Sequence, residues 1–198
     1  MKLPTPTTTT FGTDYAGVSE NDFSMRTVKM IIIGTMLCLM AVAGCRAQTT
    51  TIDSSTVASL DIKRFMGRWY EIARFDHTFE RNLEQCEAFY TLLPDGKISV
   101  TNSGVNIKTG KRKNSYGKAK LGDKPGQLRV SFFLFFYSDY NILALDDEYE
   151  WVLIGSKSPK YLWILSRRPH IDERTKTHIV DIAKQRGYDT SKLIWVKQ

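Results

Sequence analysis

Cysteine and histidine are the side chains best suited to nucleophilic or metal chemistry, and this 198-residue chain holds three of each: Cys38, Cys45 and Cys86, and His77, His170 and His178. The cysteines lack the close paired spacing of a zinc site, and three are too few for a disulfide scaffold. Cys86 has no histidine beside it in the sequence to take up a thiol proton, as covalent catalysis through cysteine requires. It reads instead as a small, half-buried hydrophobe. The residues therefore point to no catalytic centre, no metal and no cofactor. Cys45 has a different context, because it ends the run Val42-Ala43-Gly44-Cys45 that closes a 13-residue apolar stretch from Met30 to Val42. Arg26 and Lys29 supply positive charge ahead of that stretch, the layout of a secretion signal beginning at Met25.

The Val42–Cys45 run resembles a bacterial lipobox, in which the cysteine becomes the first mature residue and carries a lipid. The chain divides accordingly. Residues 1–24, rich in threonine and small polar residues, are expected to be a disordered or untranslated extension. Residues 25–44 are expected to be a lipoprotein signal peptide, residues 45–59 the lipidated cysteine with a polar tether, and residues 60–198 the folded domain. A plain transmembrane anchor is disfavoured, because the apolar stretch falls short of the roughly 20 residues that cross a bilayer.

The remainder must build a core, and with 42% hydrophobic and 12% aromatic residues it can. From Leu60 onward, short β-like runs alternate with turn residues at near-regular spacing, the rhythm of a sandwich or barrel. The runs are Trp69 to Phe75, Ala88 to Leu92, Ile98 to Asn102, Ser115 to Leu121, Leu128 to Leu134, Tyr140 to Ala144, Trp151 to Gly155 and Tyr161 to Arg167. Pro94-Asp95-Gly96 is a hairpin turn between the second and third. Eight strands in a meander can close into an up-and-down antiparallel barrel, leaving no free edge and an interior that holds one small ligand. After Pro169 the period becomes helical, with apolar Ile179, Ile182 and Ala183, acids early, bases late and Gly187 as a stop. Ile194-Trp195-Val196 can dock as a last strand or extended tail.

Three short motifs sit on these elements. Phe65-Met66-Gly67-Arg68-Trp69-Tyr70-Glu71 places Gly-x-Trp at the start of the first strand, Asp147-Glu148-Tyr149 precedes the seventh, and Leu162-Trp163-Ile164-Leu165-Ser166-Arg167 ends the eighth. In this order they resemble the three motifs of the lipocalin family, most of all the bacterial outer-membrane lipoproteins of the apolipoprotein D group. The second departs from the usual Thr-Asp-Tyr. The resemblance spans about Leu60 to Gln198 and implies an all-β eight-stranded barrel with a C-terminal α-helix packed outside. It gives structural roles to Gly67, Trp69, Asp147, Tyr149 and Arg167, with the Arg167 guanidinium laid over the Trp69 indole at the closed end, where cation–π attraction and its donors hold the base. Relatives of the apolipoprotein D type join a cysteine near position 86 to one near the C-terminus, but no cysteine follows Cys86 here.

Side chains alternate across a strand, so one anchor fixes the rest. An inward Arg167 places Leu165, Trp163 and Tyr161 inside, and the alternation in Leu128-Arg129-Val130-Ser131-Phe132 places Leu128, Val130 and Phe132 there. The family register adds Ala88, Tyr90 and Leu92, Ile98, Val100 and Asn102, Tyr140 and Ile142, and Trp151 and Leu153. The ligand-binding set expected from this is Tyr90, Val100, Asn102, Val130, Phe132, Tyr140, Ile142, Trp151, Leu153, Tyr161 and Trp163. Apolar walls carrying phenols and one amide suit a chain with a polar end, so the expected partner is a fatty acid or lysophospholipid.

The implied function is a lipid-anchored outer-membrane protein that carries or stores such a ligand, as a monomer or weak homodimer and not as an enzyme. One alternative is a lipid-directed enzyme using Cys86. Another starts from the net charge of +7 and from Lys108, Lys111, Arg112, Lys113, Lys118, Lys120 and Lys124 around the third and fourth strands. An exported protein would rarely meet nucleic acid, so the sharper use of this basic face is contact with anionic lipid head groups.

Overall fold

The computed structural model describes residues 51–198. The expected extension, the signal peptide and Cys45 lie outside the described residues.

Asp61 starts the folded part: its carboxylate accepts from the amides of Lys63 and Arg64 and caps the short helix α1, Ile62–Phe65. Gly67 then takes φ +92°, a conformation that glycine reaches without strain, and turns the chain into the first strand. Eight strands follow: β1 Gly67–Arg74, β2 Leu83–Leu92, β3 Ile98–Asn106, β4 Arg112–Leu121, β5 Gln127–Phe133, β6 Phe136–Leu145, β7 Trp151–Gly155 and β8 Leu162–Ser166. Each pairs antiparallel with the next, and β1 pairs with both β8 and β2, so the sheet closes. This is the eight-stranded up-and-down barrel expected from the spacing. Helix α2, Glu173–Gln185, follows, with Asp172 accepting from the Thr175 amide at its start and buried Ile179 and Ala183 on its inner face. A two-residue strand β9, Ile194–Trp195, pairs with the end of β1.

The apolar residues form two layers. One fills the barrel, with Trp69, Tyr90, Val100, Leu128, Val130, Ile142, Val152, Ile154 and Leu165 among its members. The other joins the barrel's outer wall to α2 through Ile72, Leu143, Leu153, Leu162, Ile164, Ile179 and Ala183. Here the sequence reading is corrected on β7. Leu153 and Trp151 belong to the outer layer, Trp151 lying edge-on to His178 of α2 at 5.6 Å. The cause is the pairing of β7 with β8, which sets Val152 opposite inward Leu165 and Ile154 opposite inward Trp163.

A bulge has a similar consequence on β1. Glu71 stands opposite Leu165, but Ala73 already stands opposite Ile164 and Arg74 opposite Trp163. The extra residue, Ile72, reverses the alternation, so Trp69, Glu71 and Arg74 all share the inner side.

Two terminal segments close on the barrel. Part of the expected tether is packed: the Asp53 amide donates to the Arg186 carbonyl, Val57 donates to Ile142, and Arg186 holds the Asp53 carboxylate at 3.0 Å. Val57 and Ile52 reach the inner and outer apolar layers respectively, which ties this stretch down. At the other end, the tail runs between β1 and β2. Val196 donates to Ile72, Gln85 donates to Lys197, and the Gln198 side-chain amide donates to the carbonyls of Glu71 and Cys86. The tail thus reaches Cys86 through hydrogen bonds.

Candidate functional site

The closed end is built first. Trp69 is fully buried, and its indole N–H donates to the Phe65 carbonyl of α1 at 2.8 Å. Arg167 lies over the indole at 3.8 Å and donates to the carbonyls of Arg64, Arg68 and Tyr149, joining α1, β1 and the turn before β7. Tyr149 accepts from the Asp61 amide through its hydroxyl and stacks under Arg64 at 4.3 Å. Asp147 contributes only its carbonyl, to Arg64; the carboxylate that shapes this turn belongs to Asp146, which accepts from the amides of Glu148 and Glu150.

Since β1 leaves this base and the strands alternate in direction, the turns after β1, β3, β5 and β7 form the opposite rim. There a cavity of about 780 Å³ opens, within the usual range of roughly 300–1,000 Å³ for a small-molecule site. Tyr90, Val100, Asn102, Val130, Phe132, Tyr140, Tyr161 and Trp163 line it. Ile142 is inside the barrel but below the cavity, among the fully buried residues, while Trp151 and Leu153 are outside as described.

The structure adds lining residues that the sequence reading did not include: Glu71, Phe79, Glu80, Cys86 and Ile154. Glu71 could have been found, since it shares parity with Trp69. Glu80 and Phe79 come from the β1–β2 loop, which has no periodicity to read. His77 of that loop stacks on Phe79 and Tyr161 at centroid distances of 5.2 and 4.9 Å and meets Trp163 at a tilt at 4.9 Å, holding the loop against β8.

The polar groups fall into two sets. Tyr90 and Tyr140 share a hydroxyl–hydroxyl hydrogen bond of 2.8 Å, and burial pushes both phenols up, Tyr90 to about 12. They remain neutral at physiological pH. The second set surrounds Arg74. Its guanidinium pairs with Glu71 at 2.5 Å and donates to the carbonyls of Glu80 and Leu83, while Glu80 accepts from the Trp163 indole N–H at 3.1 Å. Burial, then the nearby Glu80, pushes the Glu71 carboxyl up to about 8, against the pull of Arg74. Burial also raises Glu80. Cys86 lies beside this set with its thiol pushed up to about 12, chiefly by burial. A thiol so held gives almost no thiolate at neutral pH, which removes the activation a cysteine nucleophile needs.

The rim is apolar. On the β5–β6 hairpin Phe133, Leu134, Phe135 and Phe136 are all exposed, Phe135 to 84%. The basic residues do not make one face: Lys108, Lys111, Arg112 and Lys113 sit at the rim, whereas β4 carries Lys118 and Lys120 towards the base and Lys124 follows in the next turn.

With this geometry in place, likeness to known proteins becomes informative. A family model described as a lipocalin-like domain matches residues 60–198. The chain belongs to the lipocalin family. It is 43% identical to the outer membrane lipoprotein Blc of Escherichia coli K12 over 176 residues, covering 88% of this chain and 98% of that protein. Temperature-induced lipocalin-1 of Arabidopsis thaliana is 39% identical, covering 71% of this chain and 81% of its own. Mouse apolipoprotein D is 32% identical, with 71% and 78% covered. Among solved structures, insecticyanin from the tobacco hornworm Manduca sexta superposes with a TM-score of 0.61 at 24% identity, over 74% of this chain and 85% of that one. That likeness supports the lipocalin barrel alone.

Proposed function

We propose that this lipocalin is a lipid-anchored outer-membrane protein that binds one single-chain amphiphile, a fatty acid or lysophospholipid, in its barrel and carries or stores it. The observation that carries the reading is the 780 Å³ cavity, closed at Trp69, walled by Val100, Val130, Ile154 and Trp163, and open at the rim. Burying about 14 methylenes at roughly 0.8 kcal/mol each contributes about 11 kcal/mol before ordering costs, enough for micromolar affinity without a charged clamp. The names of the bacterial relatives, together with Cys45 behind its apolar stretch, support the anchor and the location.

Native mass spectrometry of the unlipidated domain tests this reading. One amphiphile per chain, removed by solvent extraction and restored on addition, is the expected result. A domain that stays unliganded with both ligand classes overturns it.

A second reading is favoured by the rim itself: exposed Phe133 to Phe136 beside Lys108, Lys111 and Arg112 would let the open end rest on an anionic membrane. The unlipidated domain should then bind anionic vesicles in a salt-sensitive way. Salt-independent binding contradicts the electrostatic part.

A further inference from the structure

The barrel is closed at one place by something other than its eight strands. Direct pairing of β1 with β2 runs only from Gly67 opposite Tyr90 to Tyr70 opposite Glu87. Above that level both strands break register, β1 at Ile72 and β2 between Glu84 and Glu87, and a wedge opens between them towards the rim. The tail fills it. Trp195 and Ile194 pair with Ala73 and Arg74 on the edge of β1 away from β8, and the Val196 amide donates to the Ile72 carbonyl at 2.9 Å. From β2 the Gln85 amide donates to the Lys197 carbonyl at 2.7 Å. Gln85 holds φ +49° where it makes this bond, a strained conformation for a residue other than glycine. The Gln198 side-chain amide spans the seam, donating to the carbonyls of Glu71 and Cys86 at 2.6 and 3.0 Å.

Glu71, Leu83, Cys86 and Glu87 border this seam and line the cavity, so at this level the tail completes the cavity wall. Its fastening is thin. Leu193 packs in the outer apolar layer, and Lys176 of α2 lies over the Trp195 ring at 4.3 Å. Beyond Trp195, four hydrogen bonds hold the tail to the two strands. Each is replaced by one with water when the segment lifts, so the net cost of a local opening is small. Neighbouring strands lie ~4.8 Å apart, and withdrawing one from between two others leaves a gap of ~9.6 Å between their axes. That slot held an extended polypeptide, and a polymethylene chain is thinner.

We propose that residues 196–198 form a strap, hinged at Leu193 and latched by Gln198, that lifts from the β1–β2 seam and lets a single-chain amphiphile pass sideways into and out of the barrel. This inference rests on the cavity-binding reading and adds the route to it. A chain that enters sideways does not thread end-first past Phe132, Phe133 and Phe136 at the rim.

The test is kinetic. The unlipidated domain is mixed by stopped flow with palmitoyl lysophosphatidylcholine or palmitate, each below its micelle-forming concentration, and Trp163 fluorescence is followed. Gln198→Ala removes the bridge across the seam and keeps the strand, whereas a chain ending at Trp195 removes the strap; a thermal melt shows that each is folded. A gate lowers the barrier in both directions. Association and dissociation should therefore both speed up, about threefold in Gln198→Ala and about tenfold or more in the shortened chain, while Kd stays within about twofold. A tail that only props the wall gives a different result, faster dissociation with weaker binding. That result, or unchanged rates in folded Gln198→Ala, overturns the strap and leaves the cavity reading intact. Failure of the parent domain to bind either ligand overturns both.

Discussion

The guanidinium of Arg167 covers the indole of Trp69 at 3.8 Å while donating to two carbonyls at 2.7 Å, those of Arg64 and Arg68. Residues 98 positions apart are thereby joined into the floor of the barrel, and the floor is what makes the interior a pocket rather than a tube.

Trp69→Ala should destabilise the domain by about 3–5 kcal/mol, the usual cost of deleting a buried aromatic side chain. Arg167→Ala removes the same contact from the other side, so urea denaturation of the double variant should show a loss smaller than the sum. Strict additivity would mean that the floor is not one unit.

The floor was the most legible part of the molecule. Gly67, Trp69 and Arg167 carry side-chain types that few other sites require, and strands with one apolar face announce themselves by alternation. Val152-Leu153-Ile154 gave no such signal, because α2 covers the outer side and both faces of β7 are apolar. Parity borrowed for that strand therefore placed Trp151 and Leu153 inside, where Val152 and Ile154 stand. The acidic cluster was hidden for other reasons. The bulge at Ile72 brings Arg74 inward against simple alternation, and Glu80 arrives on a loop held by the stacking of His77, which no local pattern encodes.

Stability should depend on Glu71 with an unusual sign. Its carboxyl is pushed up to about 8 in the fold, mainly by burial, from an ordinary value of 4.5. Between those values the folded protein holds a proton that the unfolded chain releases, so stability from this group is fully present below about pH 4.5 and lost as pH rises through about 8. Urea midpoints measured from pH 5 to 8.5 should fall with rising pH, and Glu71→Gln should flatten the slope. An unchanged slope in the variant would assign the dependence to another group.

The anchor makes a separate prediction. Cys45→Ser should abolish lipidation and move the protein from the membrane fraction to the soluble envelope fraction after cell disruption. A variant that still sediments with membranes would mean that the apolar stretch stays uncleaved or that the rim alone retains the protein.

The cavity is tested most directly by titrating the delipidated, unlipidated domain with lysophosphatidylcholine while following tryptophan fluorescence. Trp163 lines the pocket, so ligand should change the signal saturably at one equivalent, and Trp163→Phe should remove most of that change. Val130→Arg sets a charge where the chain would lie; it should weaken binding at least tenfold while the fold survives, the guanidinium reaching towards the open rim. Saturation at one equivalent, lost in Val130→Arg, is the result this account predicts. Undiminished binding in folded Val130→Arg would place the ligand outside the barrel and contradict it.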